Sequence, residues 1–121
     1  MSASLVIVRL RVPSAEASDF RGQASHALSG LAGMPGFVSA ELGRNLDDPE
    51  LWVLRLTFTG IGASRRALTG RGATIGFAPV WRYALDEPST FEVLESAGQA
   101  VGDPPEGDVD TLDPRSPAAN R

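Results

Sequence analysis

The chain has 121 residues, room for one small domain that buries a modest share of its surface, so self-association is a natural stabiliser. It contains neither cysteine nor lysine, which excludes thiol nucleophiles, disulfides, Cys-ligated metals and a lysine Schiff base, and its single histidine cannot build a histidine metal site. Residues 1–94 carry nine acidic and nine arginine side chains and residues 95–121 carry six and two, so the net charge of −4 belongs to the tail and the domain lacks a basic footprint for nucleic acid or an anionic membrane.

Leu5 to Val12 is a β-branched run with Val6, Val8, Leu10 and Val12 on one face and Arg9 and Arg11 on the other, the pattern of a strand with one buried side. Pro13 and Ser14 offer a helix start, Glu16 and Asp19 suit a first turn, and Ala17, Phe20, Ala24, Ala27, Leu28 and Leu31 form a helical stripe that Gly33 and Pro35 terminate. Phe37 to Arg44 alternates again, a polar turn follows at Asn45 to Pro49, and Leu51 to Thr59 returns as a strand whose face Trp52, Leu54, Leu56, Phe58 is wholly apolar. Ile61 to Thr69 reads as a short second helix broken by Gly70 and Gly72, with a weaker turn before Pro79 and a closing strand from Val80 to Leu85. Ser89 to Glu92 matches the S-x-x-E capping box, which predicts a short helix fraying near Gly98.

Strand, helix, hairpin, helix, strand is the order of an α+β, ferredoxin-like βαββαβ domain over residues 1–97, followed by an acidic, Pro- and Gly-rich tail over 98–121 that is expected to be disordered. Both helices then cover one sheet face. The other would show Ile7, Arg9, Arg11, Glu41, Val53 and Arg55, a half-apolar surface that predicts a homodimer. No stretch approaches the roughly 20 apolar residues of a membrane span and the N-terminus lacks a signal pattern, so the expectation is a cytoplasmic protein with no membrane partner. No metal and no cofactor are expected.

Several residues invite a chemical role. His26 lies nearly opposite the apolar stripe of its helix and is expected to face solvent. Gly70 to Gly76 resembles a phosphate loop but follows a helix instead of a strand, which makes it a connector. Asp47, Asp48 and Glu50 fall in the hairpin turn, where backbone geometry explains them. Trp52, Trp81 and Tyr83 suit a core or interface, or a surface that stacks on a flat ligand. Arg82 is the polar residue of the expected last strand, suited either to a phenolate or carboxylate in a pocket or to an interface ion pair.

Phe20, Met34-Pro35-Gly36-Phe37, Glu41-Leu42-Gly43-Arg44, Asp47-Asp48-Pro49, Trp52-Val53-Leu54 and Arg66-Ala67-Leu68, in this order and spacing, resemble the antibiotic biosynthesis monooxygenase family of dimeric α+β barrels over about Leu5 to Leu94. The resemblance implies a pocket between helices and sheet, used by some members to oxygenate polycyclic phenols with O2 and without metal, flavin or haem. Other members degrade haem or isomerise. Quinone-forming members line the pocket with an Asn in the first strand, an Asn and a Trp in the third and an Arg in the last. The landmarks put Val8, Leu54 and Phe58 at the first three and Arg82 at the fourth.

The resulting expectation is an apolar pocket of Val8, Leu10, Leu28, Leu54, Leu56 and Phe58 that takes a flat hydrophobic, polyketide- or quinol-like molecule and O2, with Arg82 stabilising a phenolate. The alternative is a non-catalytic ligand-binding or accessory protein with the same pocket. A polyketide isomerase or cyclase would need a proton shuttle that no placed residue supplies.

Overall fold

The structure is a computed structural model that describes residues 2–69 and 71–98. Strand β1 is Ser4–Arg11, helix α1 Ala17–Ser29, strands β2 and β3 Phe37–Arg44 and Leu51–Phe58, helices α2 and α3 Ile61–Thr69 and Arg71–Trp81, and strand β4 Thr90–Glu92. The sheet runs β2-β3-β1-β4 and is antiparallel throughout, which is the ferredoxin-like arrangement. The tail expected over 98–121 lies, beyond Gly98, outside the described residues.

Alternation in β1 and β3 places Val6, Val8, Leu10, Trp52, Leu54, Leu56 and Phe58 on a single face, where all are buried. The register fixes this, with Val8 opposite Leu54 and Leu10 opposite Trp52. Phe20, Ala24 and Ala27 of α1 close the core from above, and Phe20 meets Trp52 edge-on at 5.2 Å between ring centroids. Between α1 and β2 the backbone turns through Gly36 at φ +82°, where a Cβ would stand 2.4 Å from that of Ala63 in α2. Only glycine allows both the left-handed backbone and this approach.

The carboxylates of Asp48 and Glu50 serve the backbone, as their hairpin positions predict, and Asp47 joins through its amide. Asn45 Oδ1 accepts from the amides of Asp47 and Asp48, both at 2.8 Å, Asp48 accepts from the Glu50 amide, and Glu50 accepts from the Ser14 amide at 2.8 Å. His26 is exposed on α1.

Two expectations for the second half are corrected. The Gly-rich segment is no connector: Arg71–Trp81 is helical through Pro79, because Phe77 and Val80 are buried one turn apart and their packing outweighs the low helix propensity of glycine and the bond lost at proline. Val80 and Trp81 therefore end a helix instead of opening a strand. The fourth strand is Thr90–Glu92, where the capping-box pattern predicted a helix, because the outer edge of β1 offers unpaired backbone groups that this segment satisfies.

Candidate functional site

The fourth position in the sheet is filled in two pieces. Ala84 bridges Leu10, and the bonds Arg11 N–H to Tyr83 O (3.0 Å) and Leu85 N–H to Arg9 O (2.8 Å) hold one end of the β1 edge. Ile7 N–H to Ser89 O (2.7 Å) and the Thr90–Glu92 ladder hold the other. Between them the chain leaves the sheet at Asp86-Glu87-Pro88, where proline has no amide to contribute.

A cavity of about 240 Å³ opens at this break, between β1, the end of α2 and the end of α3. Val6 and Val8 form its floor, Leu68 and Trp81 the helical wall, and Ala84, Leu85, Glu87 and Ser89 the side supplied by the broken edge. The Trp81 indole is stacked on Phe77 at 4.7 Å and 15°, which fixes its plane. Glu87 supplies charge at the rim, and Arg9 donates to both its carboxylate oxygens at 3.0 and 2.7 Å. Those bonds hold the Glu87 carboxyl below its ordinary value, against a smaller opposing effect of burial, so it remains an anion and a weak base.

The expected pocket residues do not converge on one cavity. Val8 lines the cavity described above, whereas Leu10, Leu54, Leu56 and Phe58 are fully buried and pack against one another and the helices. Leu28 lines a different hollow of about 410 Å³, between α1 and the β2 edge, with Arg21, Ser25, Leu42, Arg44 and Trp52. Arg82 is not in a strand. It sits exposed in the turn after α3, with its guanidinium 4.7 Å from the Tyr83 ring centroid, bonded to the Tyr83 hydroxyl and 3.7 Å from Glu16. Tyr83 in turn donates to Glu16, the main reason its hydroxyl pKa lies above the ordinary 10.0.

Val6, Leu68, Ala84, Leu85, Glu87 and Ser89 line the cavity without having been expected there. Pro88 beside a carboxylate, within a run that must still pair with β1, is the local signal for such a break. Among the described residues no group of three or more His, Asp or Glu could hold a metal ion, and no helix is long and apolar enough to cross a membrane. The arrangement can enclose a small apolar ring system beside an oriented indole, with one hydroxyl and one anchored carboxylate in reach of a polar substituent.

Residues 4–58 match the family model described as antibiotic biosynthesis monooxygenase. No curated protein matches the sequence. Among solved structures, SnoaB, a cofactor-independent oxygenase from Streptomyces nogalater, is 23% identical and covers 85% of this chain and 100% of its own, with a TM-score of 0.63. Candidate antibiotic biosynthesis monooxygenases from Chloroflexus aurantiacus (16% identical, 84% and 100% covered, TM-score 0.64) and Deinococcus radiodurans (15%, 80% and 98%, 0.67) share the same fold. Residues 4–58, which hold the first three strands and the first helix, are thus similar to the antibiotic biosynthesis monooxygenase family model, and the chain shares the ferredoxin-like α+β fold of these structures.

Proposed function

We propose that the protein is a cofactor-independent monooxygenase-like protein that takes a flat hydrophobic molecule, quinol- or polyketide-like, into the cavity between β1 and the ends of α2 and α3. The observation that carries this reading is the position of that cavity, between helices and sheet, with apolar Val6, Val8 and Leu68 on its walls beside the oriented Trp81 ring. Its volume of about 240 Å³ falls below the ~300 Å³ at which drug-sized pockets begin, which favours one- or two-ring substrates over extended polycycles.

For a naphthol the reaction balances with O2 alone. The ring C–H para to the hydroxyl and the O–H are broken, the O–O bond is cleaved, one oxygen atom becomes the new carbonyl of the naphthoquinone, and the other leaves as water with both hydrogens. The substrate supplies all the electrons. The protein contributes confinement and orientation, with Ser89 placed to hydrogen-bond a ring oxygen. Arg82, turned toward Glu16 and Tyr83, has no part in this arrangement.

O2 uptake with a panel of naphthols and anthrone tests the reading. Turnover above buffer that falls when Val8→Phe fills the cavity is the expected result. No uptake for any member, or uptake unaffected by Val8→Phe, overturns it. A second reading, a non-catalytic binding or accessory protein, draws on the scarcity of polar groups in the cavity and the engagement of Glu87 by Arg9. It predicts a thermal shift with the same ligands and no turnover.

We further propose that the protein works as a homodimer through the sheet face away from the helices. Leu5, Ile7, Val53 and Phe91 supply apolar area there, and the Arg55–Glu41 and Arg9–Glu87 pairs supply polar groups around it. Light scattering that finds only monomer at micromolar concentration overturns this.

A further inference from the structure

We infer that the hollow between α1 and the β2 edge is a second ligand site, built for an organic carboxylate with a flat apolar body. It is separate from the cavity at Trp81 and its argument is independent of the oxygenase reading.

The first support is the disposition of the arginines. Arg9, Arg11, Arg55 and Arg82 each lie within salt-bridge distance of a carboxylate, whereas Arg21, Arg44, Arg65 and Arg66 have no carboxylate partner among the described residues, and of these four Arg21 and Arg44 share a concavity. These two face the same concavity of about 410 Å³, one from α1 and one from the end of β2, and both also border the adjoining hollow of about 470 Å³ at Ala17, Ser18 and Gly22. Two guanidiniums converging on a cleft without a counter-charge repel each other and concentrate anions there. A carboxylate between them would relieve that repulsion with forked hydrogen bonds.

The second support is Trp52. Arg44 is held over its ring, 5.2 Å from the centroid, so this guanidinium is oriented rather than free in solvent. Trp52 is only 4% exposed and forms part of the wall, yet its Nε1–H is buried with no acceptor. Having almost no accessible surface, that N–H lies behind the wall, and it reports on the hollow without bonding a ligand in it.

The third support decides the ligand class. Leu28 and Leu42 complete the wall with Trp52, giving an apolar surface that inorganic phosphate would leave uncovered. An aromatic acid places its ring on Leu28, Leu42 and Trp52 and its carboxylate at Arg21 and Arg44, with the Ser25 hydroxyl in reach of either oxygen.

The two tryptophans separate the two sites, since Trp52 borders this hollow and Trp81 borders the other cavity. Isotope-labelled full-length protein gives two indole N–H resonances, assigned with Trp81→Phe. Naphthoate should shift the Trp52 resonance saturably, and Arg21→Gln or Arg44→Gln should each weaken binding about tenfold, as expected for loss of one charge-assisted hydrogen bond. The neutral naphthylmethanol and inorganic phosphate should both bind far more weakly. Arg44→Gln also removes the contact with the Trp52 ring, so Arg21→Gln, on a different element and exposed, is the deciding variant. The proposal is overturned if naphthoate moves Trp81 alone, if Arg21→Gln binds naphthoate as well as wild type, or if naphthylmethanol or phosphate saturates the Trp52 signal at the same concentration as naphthoate. None of these results bears on O2 uptake at the Trp81 cavity.

Discussion

The two edges of β1 are treated very differently by this molecule. On its β3 side β1 pairs over its whole length of eight residues, from Ser4 opposite Phe58 to Arg11 opposite Leu51, and β3 is paired along its other side by β2. On its β4 side the pairing is a three-residue ladder, a gap, and a single bridge at Ala84. The continuous side produces a closed core. The interrupted side produces a cavity, because a segment that leaves the sheet frees its side chains to turn inward and its backbone to give way. The β2-β3-β1 side of the sheet is therefore a packed platform, and the β4 side carries the adjustable wall.

The largest test of that contrast compares Phe20→Ala with Trp81→Ala. Phe20 is fully buried and touches Trp52 and Tyr83 edge-on, so its truncation should cost about 3–5 kcal/mol in urea denaturation. Trp81 is half-buried and already borders empty space, so its loss should cost distinctly less, about 1–3 kcal/mol. Equal losses would mean that the β4 side is packed as tightly as the platform and that the cavity is not a soft wall.

Gly36→Ala probes the joint between β2 and α2 and should rank next. The residue sits at φ +82°, its carbonyl accepts from the Thr59 amide at 2.8 Å, and an added Cβ would overlap the Ala63 side chain. Strain alone should remove about 1–3 kcal/mol, and relief of the overlap would move α2 away from the β2 start. The measurement is a thermal midpoint together with amide shifts in α2. A variant as stable as wild type would show that α2 is not anchored at this point.

The same contrast explains what could be read from the amino acids. In the first half each element carries its own periodicity: Val6, Val8 and Leu10 alternate, Trp52 to Phe58 alternate, and Phe20, Ala24 and Ala27 recur at helical spacing, so local pattern and final burial agree. In the second half the local signals point away from the outcome. Glycines and Pro79 argue against a helix that Phe77 and Val80 nevertheless anchor, and Ser89 with Glu92 imitates a cap in a segment that β1 recruits as a strand. These are tertiary decisions, invisible to a window of ten residues. The site suffers the same limit, because alternation identifies Val8, Leu10, Leu54, Leu56 and Phe58 as inward-facing but cannot separate a side chain that borders a cavity from four that fill the core. Glu87 and Ser89 reach the cavity only because the strand breaks between them and Ala84.

The smallest expected effect lies at that break. The Glu87 carboxyl is held below its ordinary 4.5 chiefly by the hydrogen bonds from Arg9, so the folded state binds this proton less readily than the unfolded chain does. The stabilisation is then fully present above the unfolded carboxyl value and is lost as pH falls through the lower, folded one. Because the pair is exposed, the loss should appear in local opening and not in global unfolding. Hydrogen-exchange protection of the Ile7 and Leu85 amides, which bond to Ser89 and Arg9 across the gap, should fall on acidification in wild type. Glu87→Gln should show the reduced protection already at neutral pH and lack the acid step. The Leu54 amide, in the doubly paired β3, should keep its protection in both proteins. Loss of protection at Leu54 in step with Ile7 and Leu85 would mean that the two edges of β1 open together, and the division into a rigid platform and a yielding wall would fall.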